Sequence, residues 1–257
     1  MPHLSACRAP VGLGDLSGMV AMEIAAGLTM DQLKALLPDI PRWVEARDLV
    51  LSGEGEVFGL ETAGPLSLVL RNPDDDVTFV IGRPDPSAVL AAVGTGDLIA
   101  GVEARNWLAD LLPERTCEVA PVFTMARPNL PPPTPEVRIV SLAEITRSVD
   151  DAELLEELEA ASEFTEIAAS FEDGRPVSFC YAGSETETLW DVGIDTLEAY
   201  QRRGHAARVA GFMIRRMKAE GLDVVWTALE SNLASVKLAG ALGFHEVDRI
   251  VIFQRPD

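Results

Sequence analysis

The sequence predicts a mixed α/β (α+β) fold made of two similar halves, and three observations support this. Strand-like and helix-like segments alternate along the chain, as in sheets flanked by helices. The halves end on E-V-A-P-V-F-T-M-A-R-P (118–128) and E-V-D-R-I-V-I-F-Q-R-P (246–256), with Glu-Val and Arg-Pro at the same spacing. Five prolines in residues 127–136 separate them, which is typical of a stiff connector. We therefore expect domains over residues 1–130 and 131–257.

The second half supports this fold class element by element. Residues 137–140, 166–172 and 176–182 predict strands, the last two joined by the hairpin turn E-D-G-R. Residues 150–161 predict an acidic amphipathic helix between the first two of these strands. A strand at 188–195, a helix at 208–218, a strand at 223–229, a helix at 233–242 and a last strand from 244 follow, with Gly221 and Gly243 ending the helices.

The first half repeats that order with different residues at the key junction. V-T-F-V-I-G, S-A-V-L-A-A-V, D-L-I-A-G-V, A-R-N-W-L-A-D-L-L and C-E-V-A-P-V-F-T-M predict strand, helix, strand, helix and strand within 77–125. The first strand is followed by G-R-P-D-P-S, with two prolines and an aspartate. The 45 residues at the start are rich in helical patterns, including L-T-M-D-Q-L-K-A-L-L before Pro38.

Composition restricts the possible partners. The formal net charge is −20, which argues against a nucleic-acid or anionic-membrane partner because both need basic patches. The same charge permits a cationic substrate, and it is also explained by solubility or by a salt-tolerant host. Three scattered cysteines and three scattered histidines indicate neither a disulfide framework nor a metal site. Neither a membrane span nor a secretory signal is predicted, so we expect a cytoplasmic protein.

One short basic stretch stands out in this acidic chain. Y-Q-R-R-G-H-A-A-R, residues 200–208, lies where a strand ends and a helix begins. The first turn of a helix has unpaired N–H groups and a positive dipole end, and Gly204 lets an oxygen approach the backbone. Arg202, Arg203 and Arg208 add positive charge, so the stretch suits a phosphate or diphosphate. The alternative is a plain helix start with solvated arginines.

The context of this stretch resembles the GNAT superfamily of acyl-CoA N-acyltransferases. I-D-T-L-E-A-Y-Q-R-R-G-H-A matches a strand leading into the family's [Q/R]-x-x-G-x-[G/A] loop, and N-L-A-S-V-K-L-A-G-A-L-G-F (232–244) matches a later helix that starts at an Asn and ends in L-G-F. The pattern W-x-x-x-x-S-N-x-A-S-x-x-L-A-x-x-L-G-F is most similar to a bacterial branch of zwittermicin-resistance-type acetyltransferases. The resemblance covers residues 136–257 and implies two GNAT-like lobes, the first a degenerate, non-binding copy.

The resemblance also implies how coenzyme A is held. Backbone amides of the loop would hold its pyrophosphate, and the pantetheine arm would lie in a gap beside the strand, paired with Ile194 and Thr196. Gly193 would suit a bulge there, and an N–H near Ile194 would polarise the thioester. Asn232, which also fits a plain N-cap, and Ser235 would contact the coenzyme. The implied binding residues are Ile194, Thr196, Gln201, Arg202, Arg203, Gly204, His205, Ala206, Ala207, Asn232 and Ser235.

The implied reaction is direct attack of a neutral amine on bound acetyl-CoA, without a metal. Candidate bases are Asp191, Glu166 and Glu230. Many members of the family protonate the leaving thiolate with a tyrosine, but that position is Ala239 here. Tyr181 or water would then supply the proton, or the thiolate leaves unaided, or activity is weak or lost.

These observations predict an N-acetyltransferase that acts on a primary amine of a small molecule or peptide, as a monomer or homodimer. The missing tyrosine and the degenerate first half keep a second hypothesis open, a non-catalytic acyl-CoA sensor or scaffold. A Rossmann-type nucleotide-binding enzyme is a third hypothesis, although no G-x-G-x-x-G follows the first strand.

Overall fold

The computed structural model describes residues 30–61 and 64–256. These residues form two compact units. The N-terminal unit contains residues 30–61, 64–122, 229–231 and 247–256, and the C-terminal unit contains residues 123–228 and 232–246. The expected division into domains 1–130 and 131–257 stays a prediction. In the structure, the final segment from Val247 belongs to the N-terminal unit.

The N-terminal unit is a sheet with helices. Its strands are β1 to β5, numbered in chain order with their ranges at the end of this paragraph, and β11 (Phe244–Gln254), the last strand of the chain; their order in the sheet is β1-β2-β3-β4-β11-β5. Strands β3 and β4 are parallel, and β4 and β11 are antiparallel. The sequence predicts helices in its first 45 residues, and of these, residues 1–29 lie outside the part that the structure describes. The elements are α1 Met30–Leu36, α2 Val44–Ser52, β1 Glu56–Glu61, β2 Ser67–Asn72, β3 Val77–Ile81, α3 Pro86–Ala92, β4 Leu98–Gly101, α4 Arg105–Leu111 and β5 Thr116–Met125.

The C-terminal unit has the strand order β10-β9-β8-β7-β6, in which only the β9–β10 pair among these four pairings is parallel. Strand β6 lies at the edge of this sheet. The elements are β6 Val137–Val140, α5 Leu142–Thr146, α6 Ala152–Ser162, β7 Ile167–Glu172, β8 Arg175–Glu185, β9 Leu189–Thr196, α7 His205–Ala219, β10 Asp223–Thr227 and α8 Leu233–Leu242, and residues 244–246 of β11 also belong to this unit.

The internal repeat predicted from the sequence is confirmed by the order of elements. The series β2-β3-α3-β4-α4-β5 in the first half corresponds to β8-β9-α7-β10-α8-β11 in the second. In both series a strand, a helix and a parallel strand follow one another, which is the βαβ crossover. The mixed α/β fold class is therefore correct. The crossover helices differ in length, since α3 has 7 residues and α7 has 15.

Two apolar layers cover the two faces of the C-terminal sheet, because side chains alternate along each strand. On one face Trp190, Val192 and Ile194 pack in a cluster with residues of α7 and α8, such as Met213 and Leu242. On the other face Phe179 and Tyr181 pack with residues of α5 and α6, including Ile145 and Leu158. This alternation places Asp191, Gly193 and Asp195 on the α5–α6 face.

The expected strand bulge at Gly193 is wrong. Gly193 pairs in regular register with Tyr181, and the irregularity lies in β8, between Ala182 and Ser184. A Cβ at residue 193 would lie 2.3 Å from the Tyr181 ring. The Tyr181 ring therefore occupies the space that a side chain at residue 193 would need, and only glycine fits there.

The proline-rich connector is not a free spacer, because it packs against α7 and α8. The Asn129 N–H donates to the Leu242 carbonyl at 2.8 Å, and the Asn129 Nδ2 donates to the Ala241 carbonyl at 2.9 Å. The Arg215 guanidinium on α7 donates to the Pro131 carbonyl. The connector thus satisfies carbonyl groups at the end of α8 that have no partner within the helix.

A pair of glycine substitutions tests this packing. Gly243 has φ 97°, and a Cβ there would lie 2.0 Å from the Arg127 carbonyl oxygen, whereas a Cβ at Gly240 inside α8 meets nothing within 4 Å. We expect Gly243→Ala to lower the free energy of unfolding by about 2 kcal/mol or more. We expect Gly240→Ala to raise it by about 0.5–1 kcal/mol. Urea unfolding measures both, and equal effects of the two changes would contradict the assigned packing.

Candidate functional site

The pairing of β9 with β10 ends partway along β9. Paired residues run from Leu189 opposite Asp223 to Asp191 opposite Val225. Strand β9 itself continues to Thr196 and β10 to Thr227. The register thus leaves the last part of β9 beyond its pairing with β10, as the resemblance implied for the pantetheine gap.

The backbone groups of Ile194 and Thr196 face this edge. Antiparallel partners alternate between hydrogen-bonded and non-hydrogen-bonded pairs. The Leu197 N–H donates to the Val177 carbonyl of β8 at 3.0 Å, so Thr196 and Ile194, one and three residues earlier, belong to non-hydrogen-bonded pairs with β8. Their N–H and C=O groups therefore point away from β8, toward the β10 side. The Thr196 carbonyl accepts a hydrogen bond from Gln201 Nε2 at 3.3 Å.

The first turn of α7 is open to an anion. Gly204 is its N-cap in the left-handed conformation, with φ 82°, and no side chain caps the helix. Arg202 is also left-handed, with φ 60°. Left-handed residues next to right-handed ones turn successive N–H groups toward one concave surface, which favours anion binding. Ala206 and Ala207 follow and pack partly against the apolar core.

The three arginines of this turn have different partners. Arg203 forms an ion pair with Glu172 at 2.7 Å, and its guanidinium lies 5.2 Å from the centre of the Tyr200 ring. Arg202 is exposed. Arg208 Nη1 lies 3.3 Å from the position that a Cβ on Gly204 would take, so this cation covers the N-terminus of α7. Positive charge there opposes the helix dipole, and a bound anion would remove the conflict.

The side chain of His205 points inward, so only its backbone faces the turn. The residue is 3% exposed. Its Nε2 lies 2.7 Å from Glu172 Oε2, and its Nδ1 lies 2.9 Å from Ser170 Oγ and 3.0 Å from Arg208 Nη2. The pKa of Glu172 is lowered, and the hydrogen bond with His205 makes the largest contribution to this shift. Carboxylate, imidazole and hydroxyl resemble a nucleophilic triad, but Ser170 is fully buried, so the set anchors the loop on β7.

The corresponding helix of the N-terminal unit has no such opening. Asp85 caps α3 by accepting from the Ser87 N–H at 2.8 Å and from Ser87 Oγ at 2.5 Å. Pro84 and Pro86 contribute no N–H groups. These hydrogen bonds lower the pKa of Asp85 and keep it anionic. A second anion at this helix start would meet a carboxylate instead of donors.

Asp191 is a buried carboxyl with an unusual protonation equilibrium. It is 4% exposed, and its Oδ1 atom has no hydrogen-bond partner. Burial raises the pKa of Asp191 to about 7, against the opposing effect of hydrogen bonds from the Val192 N–H and from the side chain and N–H of Thr227. A carboxyl with such a pKa can exchange a proton near neutral pH.

The other two candidate bases are engaged in ion pairs. Glu166, exposed at the start of β7, forms an ion pair with Arg216 of α7. Glu230 belongs to the N-terminal unit, where it accepts from Arg249 at 2.6 Å. Of the three candidates, Asp191 alone is a buried group without a cationic partner among these contacts.

Asn232 and Ser235 are already used in the first turn of α8. The Asn232 Oδ1 accepts from the Ser235 N–H at 3.1 Å, which is the N-cap alternative. The Ser235 hydroxyl accepts from Trp226 Nε1 at 2.9 Å. The Asn232 amide nitrogen and the Ser235 hydroxyl proton are the groups that remain able to donate to a coenzyme.

The tyrosine position of the family falls in the core. Ala239 is fully buried. Tyr181 is also buried, and its hydroxyl donates to Glu157 on α6 and lies 3.5 Å from Asp195 Oδ2. The chain therefore places a phenol and two carboxylates on the α5–α6 face, the same face as Asp191.

Sequence reasoning missed Glu172, Ser170 and Thr227, which hold His205 and Asp191. Alternation along β7 places Ser170 and Glu172 on one face, but their partner His205 is 35 and 33 residues further along the chain, respectively. Nothing in the local pattern of either segment indicates this pairing.

Comparisons with known proteins agree with the geometry. Residues 156–253 match the family model described as GNAT acetyltransferase. No match was found among the curated proteins. Among solved structures, a GCN5-related N-acetyltransferase-like protein from Streptococcus suis has 15% identity and a TM-score of 0.63, covering 88% of this chain and 98% of its own.

Two further solved structures show the same fold at low identity. A GCN5-related N-acetyltransferase from Kribbella flavida has 15% identity and a TM-score of 0.55, covering 91% of this chain and 97% of its own. A tandem GNAT protein from the clavulanic acid biosynthesis pathway has 14% identity and a TM-score of 0.54, covering 88% and 94%. The fold is therefore that of two GNAT-like lobes, and residues 156–253 are the part of the chain that matches the GNAT acetyltransferase model.

The described residues were also compared with what a membrane span and a metal site require. Within residues 30–61 and 64–256, no helix combines the length and apolar character needed to cross a membrane. In the same part of the chain, no group of three or more His, Cys, Asp or Glu side chains is arranged to hold a metal ion.

The raised pKa of Asp191 predicts a pH-dependent stability. The native carboxyl binds more protons than the unfolded one between its ordinary pKa of 3.8 and about 7, so stability falls as pH rises through that window. We expect Asp191→Asn to abolish this loss. The unfolding free energy of the variant minus that of the wild type should therefore increase by up to about 4 kcal/mol from pH 4 to pH 8.

Urea unfolding at several pH values measures the difference. The control is Glu163→Gln at the exposed end of α6, for which we expect changes within about 0.5 kcal/mol at every pH. A difference for Asp191→Asn that stays constant with pH would contradict the raised pKa.

Proposed function

We propose that the protein is an N-acetyltransferase that transfers an acetyl group from acetyl-CoA to a primary amine. The observation that carries the proposal is the coincidence of two features on consecutive elements. Strand β9 runs beyond its pairing with β10, and the next helix begins with an uncapped, arginine-rich turn at Gly204. The family-model match over residues 156–253 supports it.

In the proposed complex the coenzyme's diphosphate binds the turn from Gln201 to Ala207. Arg202 and Arg208 provide charge there, while Arg203, paired with Glu172, holds the turn in place. The pantetheine arm pairs with the backbone of Ile194 and Thr196, and the Ile194 N–H polarises the thioester carbonyl. Asn232 and Ser235 donate to the coenzyme from the start of α8.

Asp191 acts as the general base in this proposal. Its pKa of about 7 lets it accept a proton from an ammonium group near neutral pH and leave a neutral amine to attack the thioester. The amine nitrogen forms a bond to the acetyl carbon, the C–S bond breaks and the coenzyme thiolate leaves, while the nitrogen gives its surplus proton to water. Tyr181 or water protonates the thiolate, since Ala239 has no acidic proton.

The acceptor is proposed as a small-molecule or peptide amine, with a preference for cationic compounds because the chain carries a net charge of −20. We also propose that the protein is bacterial and cytoplasmic and belongs to the zwittermicin-resistance-type branch. It would act as a monomer or homodimer, without nucleic-acid or membrane partners. The W-x-x-x-x-S-N pattern that leads into α8 supports the branch.

The first prediction concerns coenzyme binding. We expect Gly204→Glu to weaken acetyl-CoA and CoA binding at least about 100-fold, because a carboxylate at the start of α7 occupies its donors and repels diphosphate. Calorimetric titration measures this, with NADH as a control for the nucleotide-binding alternative. The matched variant is Gly174→Glu in the β7–β8 turn, which has φ 79° and nothing within 4 Å of its Cβ position, whereas a Cβ at Gly204, with φ 82°, meets only the end of the Arg208 side chain at 3.3 Å.

We expect Gly174→Glu to bind the coenzyme like the wild type while carrying the same backbone strain. Wild-type affinity in Gly204→Glu would contradict the diphosphate site. Preference of the wild type for NADH over CoA would favour the nucleotide-binding enzyme instead.

The second prediction concerns catalysis. We expect Asp191→Asn to lower kcat by about 10²–10⁴-fold in acetyl transfer to the best acceptor of a broad amine panel, with coenzyme affinity unchanged. Wild-type kcat should rise with pH through about 7, as Asp191 loses its proton.

Glu166→Gln and Glu230→Gln are the matched controls, and we expect each to change kcat by less than about threefold. A large loss of kcat in either variant would show that this residue, and not Asp191, is the general base. Tight coenzyme binding by the wild type without transfer to any amine would favour the sensor or scaffold alternative.

A further inference from the structure

A cavity of about 790 Å³ lies within the C-terminal unit, at the end of α7 that is opposite to the proposed coenzyme site. Its walls come from the last two turns of α7, the starts of β9 and β10, the end of β5 and the connector that follows β5. Helix α7 has 15 residues, so its two ends are about 20 Å apart. A ligand in this cavity is therefore well separated from a diphosphate bound at Gly204.

The floor of the cavity is apolar. Leu189, Ile214 and Val224 line it and are each less than a tenth exposed. Met125 and Leu130 also line it and pack, partly buried, against the core of this unit. Water at such a surface finds few hydrogen-bond partners, so a hydrocarbon group that displaces it is favoured. The volume is also within the range of about 300–1,000 Å³ that is usual for small-molecule sites.

The connector wall of the cavity is held in place by contacts within the chain. Its prolines restrict rotation of the backbone, and the Arg215 guanidinium donates to the Pro131 carbonyl. A Cβ at Gly211, one turn before Arg215, would lie 3.2 Å from Pro131 Cδ, so the connector touches the backbone of α7 there. The cavity opens beyond this contact, toward Lys218 and Ala219. Its shape is thus largely formed before a ligand binds, which reduces the entropic cost of binding.

Three charged side chains line the cavity, and one of them has no counter-ion. Lys218 and Asp223 form an ion pair with each other, so their charges cancel. Arg215 donates from Nη1 to the Gly211 carbonyl at 2.8 Å and from Nη2 to the Pro131 carbonyl. In the part of the chain that the structure describes, no carboxylate forms an ion pair with it. A guanidinium has five N–H groups, so Arg215 keeps donors and a positive charge for an anion.

We propose that this cavity is a second ligand site, which binds a small amphipathic carboxylate: an apolar chain or ring with one carboxylate group. The apolar part packs on Leu189, Ile214 and Val224. The carboxylate accepts hydrogen bonds from Arg215, whose planar guanidinium matches the two carboxylate oxygens. A cationic amphipath is disfavoured, because its charge meets the same guanidinium. The site does not depend on the coenzyme site proposed above.

Calorimetric titration with hexanoate, octanoate and decanoate at about pH 7, where these acids are ionised, tests the site. We expect one ligand per chain and a Kd that falls about tenfold with every two added CH₂ groups, because each buried CH₂ group adds a similar transfer free energy. Octanamide and octylamine are the matched neutral and cationic compounds. We expect both to bind at least about tenfold more weakly than octanoate, because a charge-assisted hydrogen bond to Arg215 is lost.

Two variants locate the ligand. Arg215→Gln keeps N–H donors for the connector but removes the charge, and we expect it to weaken octanoate about tenfold and octanamide hardly at all. Ala219 is exposed and lines the mouth of the cavity, so Ala219→Trp should fill it and weaken both compounds at least about tenfold. The controls are Arg216→Gln, one residue further along α7, and Ala152→Trp at the exposed start of α6. Both should bind octanoate like the wild type.

A further measurement uses the wild type alone and does not depend on the folding of a variant. The Met125 side chain lines the cavity, and NMR can follow methionine methyl groups during addition of octanoate. We expect the Met125 methyl signal to shift with the same Kd that calorimetry gives.

Each contrary outcome overturns a defined part of the proposal. Octanoate affinity that is unchanged in Ala219→Trp, or a Met125 signal that octanoate does not move, would place the ligand outside the cavity and overturn the site. Equal affinity for octanoate and octanamide, or no effect of Arg215→Gln, would overturn the carboxylate and leave Arg215 with the role of holding the connector. Absence of binding by all three carboxylates at millimolar concentration would overturn the proposal as a whole.

Discussion

The hydrogen bond between His205 Nε2 and Glu172 Oε2, at 2.7 Å, joins the first turn of α7 to the end of β7. Glu172 also binds Arg203, so one carboxylate holds two residues of the turn and neutralises one of its cations. A helix start rich in arginine is electrostatically unfavourable, and this carboxylate makes it compatible with a folded chain. The backbone N–H groups of the turn remain directed outward as a result, and the proposed coenzyme site depends on them.

The two halves of the chain show what this constraint contributes. Both contain the same strand–helix–strand crossover, yet α3 begins with Asp85 as its own cap and with prolines on either side, while α7 begins with Gly204 and no cap. The first arrangement stabilises a short helix by satisfying its donors internally. The second leaves donors for another molecule and relies on β7 for its anchoring. The repeated fold therefore supports different roles through the residues of a single turn.

Burial produces the second functional property, the proton equilibrium of Asp191. A carboxyl on a strand surface stays ionised, whereas this one lies where the β9–β10 pairing ends and has an oxygen without a hydrogen-bond partner. The energetic penalty of burying the charge raises its pKa. The protein thus loses stability as the pH rises toward about 7, at the place where the proposed reaction needs a base, a conflict that is common at functional sites.

The sequence by itself determined the order of strands and helices within 77–125 and, apart from the short helix α5, from residue 137 onward, as well as the repeat of the two halves and the turn at residues 201–207. These follow from periodicity, glycine and proline positions and local charge, which act over a few residues. Only the tertiary structure decided that the His205 ring faces Ser170 and Glu172, that Arg203 is neutralised, that Gly193 accommodates a tyrosine ring rather than a bulge, and that Asp191 rather than Glu166 or Glu230 is buried. These properties depend on partners that lie far away in the chain and meet only when the strands pair, and no local pattern contains that information.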